Sequence, residues 1–341
     1  MTGFPELNML YPMKFEPVYQ ERIWGGSLME KVLERDVPHR ELPIGESWEL
    51  ADRDDAMSVV VNGPWKGATL HQIFESCKAQ LVGPKCNSDR FPLMVKIIDA
   101  GERLSLQVHP DEMTCRRLQD GAEPKTEMWY IIAAREDGTI LAGLNSRATR
   151  IKLQDQINSP EVENLMQIYS SQPGDAYFIP AGTLHAIGGG NLILEIQQNS
   201  DTTYRISDWG RVDAQGRSRE LHVEKGMQSI DFTNRTSTRI AGVSGITTHN
   251  RKFAMVQLCR YFKTDDLRLT GVWYDDTALS GSFHLISAIN APVTIRRRGC
   301  DDAMYSVNAA PGETVLVPYS FGKYEIVPRS TEVATVVRTT L

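Results

Sequence analysis

What most constrains the fold of this chain is its punctuation. Glycine (26) and proline (17) recur about every ten residues along much of the sequence, with short runs rich in Val, Ile, Tyr and Phe between them. Met128-Trp129-Tyr130-Ile131-Ile132, Ala176-Tyr177-Phe178-Ile179, Leu192-Ile193-Leu194-Glu195-Ile196 and Thr314-Val315-Leu316-Val317 are examples. Short strands separated by regular turn signals predict a mainly β protein, a sandwich or barrel. No Gly-rich phosphate loop follows a strand, which argues against a doubly wound nucleotide fold. Two stretches read as helices. Thr69 to Leu81 carries a helical apolar stripe, with Thr69 and Gln72 at capping-box spacing. Lys152 to Tyr169 is the second, with Ile157, Val162, Leu165, Met166 and Tyr169 as core contacts. The segment from Gln215 to Asn250 is polar and mixed, and reads as a connection between domains.

The chain also echoes itself. Pro173-Gly174-Asp175-Ala176-Tyr177-Phe178-Ile179-Pro180 is matched by Pro311-Gly312-Glu313-Thr314-Val315-Leu316-Val317-Pro318. Each reads as a tight turn, an acidic residue, a four-residue strand and a proline stop. Upstream, Met128 to Ala134 is loosely echoed by Phe283 to Ile289. Two related β-barrels would explain this, and 341 residues suit two domains.

Charge and cysteines narrow the function classes. The net charge of −6 makes general nucleic-acid or anionic-membrane binding a poor expectation. No apolar run approaches the ~18–20 residues of a membrane helix. Pro5, Glu6 and Pro12 precede the first basic residue, Lys14, unlike a secretory signal. The five cysteines are spread out, odd in number and without a C-x-x-C pair, so disulfides and a thiolate metal site are disfavoured and a reducing cytoplasm is expected.

Four residues nevertheless make a metal pattern. Gln107 and His109 are two apart, so on a strand they share a face. Glu127 follows eighteen residues later at a strand start, and His185 opens the apolar stretch after the Pro180-Ala181-Gly182 turn. Neutral imidazole, carboxylate and amide suit a divalent first-row metal and leave room for water or substrate. In the second copy, twelve residues after Pro311 is Lys323, where His185 stands in the first. One metal, in the first barrel only, is therefore expected. A charged loop runs nearby: Glu195 and Gln197 share a strand face, and the stretch ends in Arg205 and then Arg211, a guanidinium pair suited to a phosphate or a developing oxyanion. Ser105 and Lys125 each lie two residues before a candidate ligand and are expected on the same side.

These motifs resemble the type I mannose-6-phosphate isomerases, zinc-dependent cupin enzymes, in their short bacterial form. The resemblance rests on Leu104 to Pro110, Lys125 to Tyr130, Pro180 to Gly188 and Gln197 to Arg205, and extends to Lys14–Gly26, Gly45–Glu49, Arg90–Ala100, Arg219–His222 and Leu316–Tyr319. It implies two cupin-type jelly-roll barrels with a few accessory helices: a metal-binding catalytic domain over 1–245 and a smaller, metal-free one over 246–341. It implies one Zn²⁺ per chain on Gln107, His109, Glu127 and His185. Arg205, Glu195 and Lys125 become the expected catalytic residues, and Ser105, Lys125 and Arg211 the expected contacts to phosphate or sugar. The implied reaction interconverts mannose 6-phosphate and fructose 6-phosphate through an enediol(ate). Glu195, Lys125 and a metal-bound water stand open as proton carriers. The expected partner is a small sugar phosphate, with no nucleic acid and no membrane, and the chain is expected to be a monomer. Two rival readings are an iron(II) oxygenase on the same ligands and a non-catalytic sugar-binding cupin.

Overall fold

The computed structural model describes residues 10–157, 159–212, 215–241, 243–246, 250–300 and 302–341. Residues 1–9, part of the stretch read against a secretory signal, lie outside them. By internal contacts the chain divides into two compact units. One comprises 19–47 and 96–240; the other comprises the described residues up to Val18, then 48–95 and 241–341.

In the first unit the site is framed by two sheets. The five-stranded sheet runs in the order Tyr204–Ser207, Leu106–Val108, His185–Ile187, Thr139–Leu144 and Met166–Ser170. The six-stranded sheet runs Val18–Glu21, Ile44–Leu50, Leu93–Ala100, Asn191–Gln198, Glu127–Ala134 and Ala176–Ile179. Trp129, Ile131 and Ile193 from the larger sheet pack with Ile140, Ala142 and Ile187 from the smaller, so a core fills the space between them. Strand periodicity then decides which way the polar residues point. Leu106, Val108, Ala186, Tyr204 and Ile206 belong to a separate core on the outer face of the small sheet. That core is closed by Leu153 of the helix Arg150–Gln156, Val162 and Leu165 of the 3₁₀ turn Pro160–Leu165, and Met227 of the helix Val223–Ser229. Burying these alternate residues outward turns Gln107, His185 and Arg205 inward.

The second unit repeats the plan. Its six-stranded sheet runs Val243–Ile246, Asn250–Val256, Lys263–Leu269, Ala334–Thr340, His284–Ala288 and Thr314–Val317. Its four-stranded sheet runs Trp273–Asp276, Lys323–Pro328, Val293–Arg297 and Ser306–Ala309. Leu267, Ile286 and Val336 of one meet Ile295, Val307 and Ile326 of the other in a single core. The sequence echo is structural. Ala176–Ile179 and Thr314–Val317 each form the last strand of a six-stranded sheet, each after a glycine at positive φ, 89° at Gly174 and 81° at Gly312. The fold is thus mainly β, two jelly-roll sandwiches of the cupin type with a few short helices.

The helix expected from Thr69 to Leu81 forms as Leu70–Val82, with both hydrogen bonds of the Thr69–Gln72 capping box present. The second expected helix is corrected. Only Arg150–Gln156 is α-helical; Pro160 opens a 3₁₀ turn, and Met166–Ser170 is a strand paired with Thr139–Leu144. Proline removes an N–H and disfavours α geometry in the residue before it, which ends the helix there. Ile157, Val162, Leu165 and Met166 are still buried, as their apolar spacing implied. The polar stretch 215–250 is more than a connection: its helix Val223–Ser229 and Ile230 pack into the core of the first unit, while 213–214, 242 and 247–249 lie outside the described residues. The five cysteines are free and half-buried. Among the described residues no helix is long and apolar enough to cross a membrane.

Candidate metal centre and active site

The ladder brings the ligand candidates into register. Gln107 pairs with His185 on one side and with Arg205 on the other, so the three side chains form a row across adjacent strands. On the larger sheet Glu127 stands beside Gln197, and Trp129 beside Glu195. Glu127 and Trp129 share a face, as do Glu195 and Gln197.

His109, Glu127 and His185 are fully buried, and their ligand atoms all lie within 4.8 Å of one another. His185 Nδ1 sits 2.8 Å from the Thr183 carbonyl, and His109 Nδ1 sits 2.8 Å from the Thr202 carbonyl. A carbonyl only accepts, so each Nδ1 carries the proton and each Nε2 keeps its lone pair. Those lone pairs converge on Glu127: His109 Nε2 is 3.4 Å from Oε2, and His185 Nε2 is 3.5 Å from Oε1. His109 Nε2 and Glu127 Oε1 have no hydrogen-bond partner, although both are buried. Glu127 Oε2 lies 2.7 Å from Lys125 Nζ, in an ion pair without hydrogen-bond alignment. Buried acceptors left bare at one point are costly unless a cation fills the space. The donor set therefore fits a divalent metal. Gln107 flanks it, its amide nitrogen 3.2 Å from His185 Nε2 and its Oε1 accepting from Ser105 Oγ at 3.3 Å.

Protonation states agree with this reading. Burial lowers His185 to about 3, helped by the nearby His109, and burial followed by the Lys125 charge lowers His109. Glu127 is held well below the carboxylate range: burial opposes ionisation, but Lys125 and both imidazoles outweigh it. Burial also opposes the charge on Lys125, yet Glu127 and Glu195 together hold it above its usual range. Glu195 goes the other way. Burial first, and the Glu127 charge second, push it up to about 7. Its Oε2 accepts from the Trp129 indole at 2.8 Å, and its Oε1 lies 3.6 Å from Lys125 Nζ.

A cavity of about 500 Å³ opens beside this cluster. Of the expected site residues, Ser105, Gln107, Lys125, Glu195 and Arg205 line it. Arg211 does not; it lines a smaller cavity beside Trp209, with its guanidinium on Asp208 and the Arg103 carbonyl. Further lining residues were not singled out by the sequence reading: Arg22, Trp24, Glu46, Lys96, Asp201 and Arg219. Most of these fall in the stretches 14–26, 45–49, 90–100 and 219–222, which carry the family resemblance, but no spacing rule tied them to the ligands. Sheet order does, by setting Ile44–Leu50 and Leu93–Ala100 next to Asn191–Gln198.

A double sandwich with inward imidazoles and an amide on one sheet, facing a carboxylate on the other, defines a cupin-type metal site. The type I phosphomannose isomerase catalytic-domain family matches residues 13–128. The chain is 35% identical to mannose-6-phosphate isomerase ManA of Bacillus subtilis over 92% of this chain and 95% of that one. It is 39% identical to the mannose-6-phosphate isomerase of Streptococcus mutans over 65% of this chain and 68% of that one. The crystal structure of the Bacillus subtilis mannose 6-phosphate isomerase superposes with a TM-score of 0.85 at 30% identity, covering 97% of this chain and 100% of that one. The chain belongs to the type I mannose-6-phosphate isomerases.

Proposed function

We propose that this chain interconverts mannose 6-phosphate and fructose 6-phosphate by moving a proton between C2 and C1 of the open-chain sugar through an enediol(ate). The observation that carries the reading is the meeting of the bare His109 lone pair, the His185 lone pair that faces the Gln107 amide, and an ionised Glu127, beside a cavity lined by a proton-accepting group, Glu195. His109, Glu127 and His185 would hold one metal per chain, which we take to be zinc, with Gln107 completing the set once its amide turns its oxygen inward. Such an ion supplies Lewis-acid polarisation of the sugar oxygens.

The chain's own residues supply the rest. Glu195 takes the C2 proton and returns it at C1. Its carboxyl titrates close to neutrality, so both of its protonation states are populated there. Trp129 fixes it through one oxygen, and the other lies 3.6 Å from Lys125 at the cavity wall. Lys125 stays charged and steadies negative charge that develops on the sugar oxygens. Ser105 holds Gln107 and lies against the substrate. Arg205 meets the developing oxyanion or the phosphate, and Arg211 supports that region from the Asp208 side. We assign the catalytic chemistry to 1–245 and none to the metal-free 246–341, and we take the protein to be a cytoplasmic monomer.

The test is a coupled assay of mannose 6-phosphate conversion on purified protein, with and without chelator and with metal content measured. Chelator-sensitive turnover at one metal per chain supports the reading. A bound metal without turnover removes the substrate assignment and redirects the search to other sugars.

A further inference from the structure

Most cations around the large cavity are already neutralised by acids. Arg22 forks onto Glu46 at 3.0 and 3.2 Å, Lys96 sits 3.2 Å from Asp201 and 3.6 Å from Glu46, and Lys125 is held by Glu127. The arginines near the strand Tyr204–Ser207 differ. Arg205 makes no ion pair among the described residues: its NH1 donates to the Glu220 carbonyl at 2.8 Å, and its buried Nε has no partner. Arg219 and Arg211 share a single buried carboxylate. Asp208 accepts from Arg219 Nε at 2.8 Å and NH2 at 2.5 Å, and from Arg211 NH2 at 2.8 Å. Three guanidiniums thus stand around one buried carboxylate. Two further acids nearby, Glu220 and the Glu102 that lies 3.9 Å from Arg211, are solvent-exposed, and water and salt screen them. Arg205 and Arg219, the two that line the large cavity, outweigh Asp208 and leave a net positive charge there, the sign that attracts a phosphate monoester, which carries roughly −1.5 to −2 at neutral pH.

Orientation selects among the three. Arg211 faces the Arg103 carbonyl and lines only the smaller cavity, whereas Arg205 lines the large one and Arg219 lines both. The row Arg205–Gln107–His185 spans two strand spacings, about 10 Å between the outer backbones. That span suits a six-carbon sugar with its reacting end at the metal cluster and its phosphate at the arginines.

We propose that Arg219 is a phosphate-recognising residue of this cavity, alongside Arg205, and that Asp208 is a positioning residue that holds Arg219 in place. This rests on the sugar-phosphate reading above. Arg219 lies in the irregular segment between the strand Tyr204–Ser207 and the helix Val223–Ser229, where a long side chain is free to choose many rotamers. A fork from Asp208 removes that freedom before substrate arrives. Asp208 is itself locked by a tight turn. Arg211 N–H donates to the Asp208 carbonyl, and Trp209 is held at φ 60°, an unfavourable value for a bulky residue. The Trp209 indole donates to the Leu104 carbonyl at 2.7 Å, and the Arg103 guanidinium lies over its ring. The strained turn and its shared carboxylate make a rigid mount for a phosphate-binding arginine.

Steady-state kinetics on the metal-loaded full chain tests this. In Arg219→Gln, KM for mannose 6-phosphate should rise roughly ten- to hundredfold, the scale of a lost charge-assisted fork, while kcat falls much less and metal content holds. Arg219→Lys, which keeps the charge but not the fork, should recover part of that loss. Asp208→Asn should raise KM in the same direction by a smaller factor. An Arg219→Gln enzyme with KM within twofold of wild type overturns the proposal, as does one that loses kcat at constant KM. Should the Gln variant fail to hold metal, Arg219→Lys decides: a severalfold higher KM supports the proposal and an unchanged KM overturns it. A wild-type enzyme inactive on mannose 6-phosphate would instead refute the functional reading, before any variant is made.

Discussion

In the first sandwich Glu127 stands opposite Ile179 on the last strand of the large sheet; in the second, His284 stands opposite Val317 at the matching rung. Continuing along each sheet, Glu195 pairs with Trp129, and Arg338 pairs with the corresponding Ile286. On the smaller sheets the pair Gln107–His185 is answered by Asp275–Tyr324. The same inward positions therefore carry different chemistry. In the first, neutral imidazoles and an ionised carboxylate leave bare acceptors pointing at one spot. In the second, the cation is built in. Arg338 bonds Asp275 through NH1 at 2.5 Å and Asp265 through NH2, and both nitrogens of His284 are occupied, by Tyr324 at 2.6 Å and Ser280 at 2.7 Å. Burial lowers His284 to about 4, so it is neutral and adds no further charge. A buried charge needs a partner. The first sandwich supplies one cation, Lys125 at Glu127 Oε2, and still leaves His109 Nε2 and Glu127 Oε1 bare for a recruited ion; the second completes its cluster with side chains alone. Among the described residues, only the His109–Glu127–His185 group has metal-ligand geometry.

This contrast can be broken by experiment. His109→Ala should release the metal and reduce turnover by at least about 10²–10³-fold, as one event; retained metal would mean that the first sandwich does not depend on its imidazoles. Arg205→Ala should keep the metal and still lose most turnover, and normal turnover would remove Arg205 from the chemistry. Glu195→Gln should cost about 10²–10⁴-fold in kcat, the range for a lost general base. The wild-type kcat/KM should rise with pH as the Glu195 carboxyl ionises, because the base form is present only above its pKa. A metal at Glu127 weakens the like-charge contribution, so this limb should lie at or below pH 7. The Gln variant should lack the limb, and exchange of the C2 proton with solvent at the wild-type rate would exclude Glu195 as the carrier.

In the second sandwich, Arg338→Met should destabilise the protein by about 3–5 kcal/mol in urea unfolding, because Asp275 would lose its arginine and Asp265 would keep only the half-exposed Lys252. Turnover per folded molecule should not change. The smallest test addresses what the two copies share. Gly174→Ala and Gly312→Ala should each cost about 1–2 kcal/mol, since both turns need positive φ; clearly unequal costs would weaken the structural repeat.

The turn-and-strand repeat and the ligand set were legible because each rests on local spacing. Period-2 alternation around Gln107 and Glu127 announces their face, and the 173–180 and 311–318 segments differ only in side chains. What replaces the metal in the second sandwich was not legible. Position counting from Pro311 lands on exposed Lys323, whereas the Tyr319–Phe321 turn adds one residue and puts Tyr324 inward instead. Arg338 joins Asp265 and Asp275 only through the pairings of three distant strands. Arg219 and Arg211 illustrate the same limit. Both are arginines in one loop and both bond Asp208, and only the folded chain shows that Arg219 reaches the large cavity while Arg211 does not.

The most direct test of the central claim is a metal titration of the metal-free protein with Zn²⁺, following conversion of mannose 6-phosphate to fructose 6-phosphate. Turnover should start from background, rise linearly and saturate at one equivalent per chain, and the titration should be flat in His109→Ala. Full turnover without metal, or saturation only at two equivalents, would contradict a single metal centre in the first sandwich.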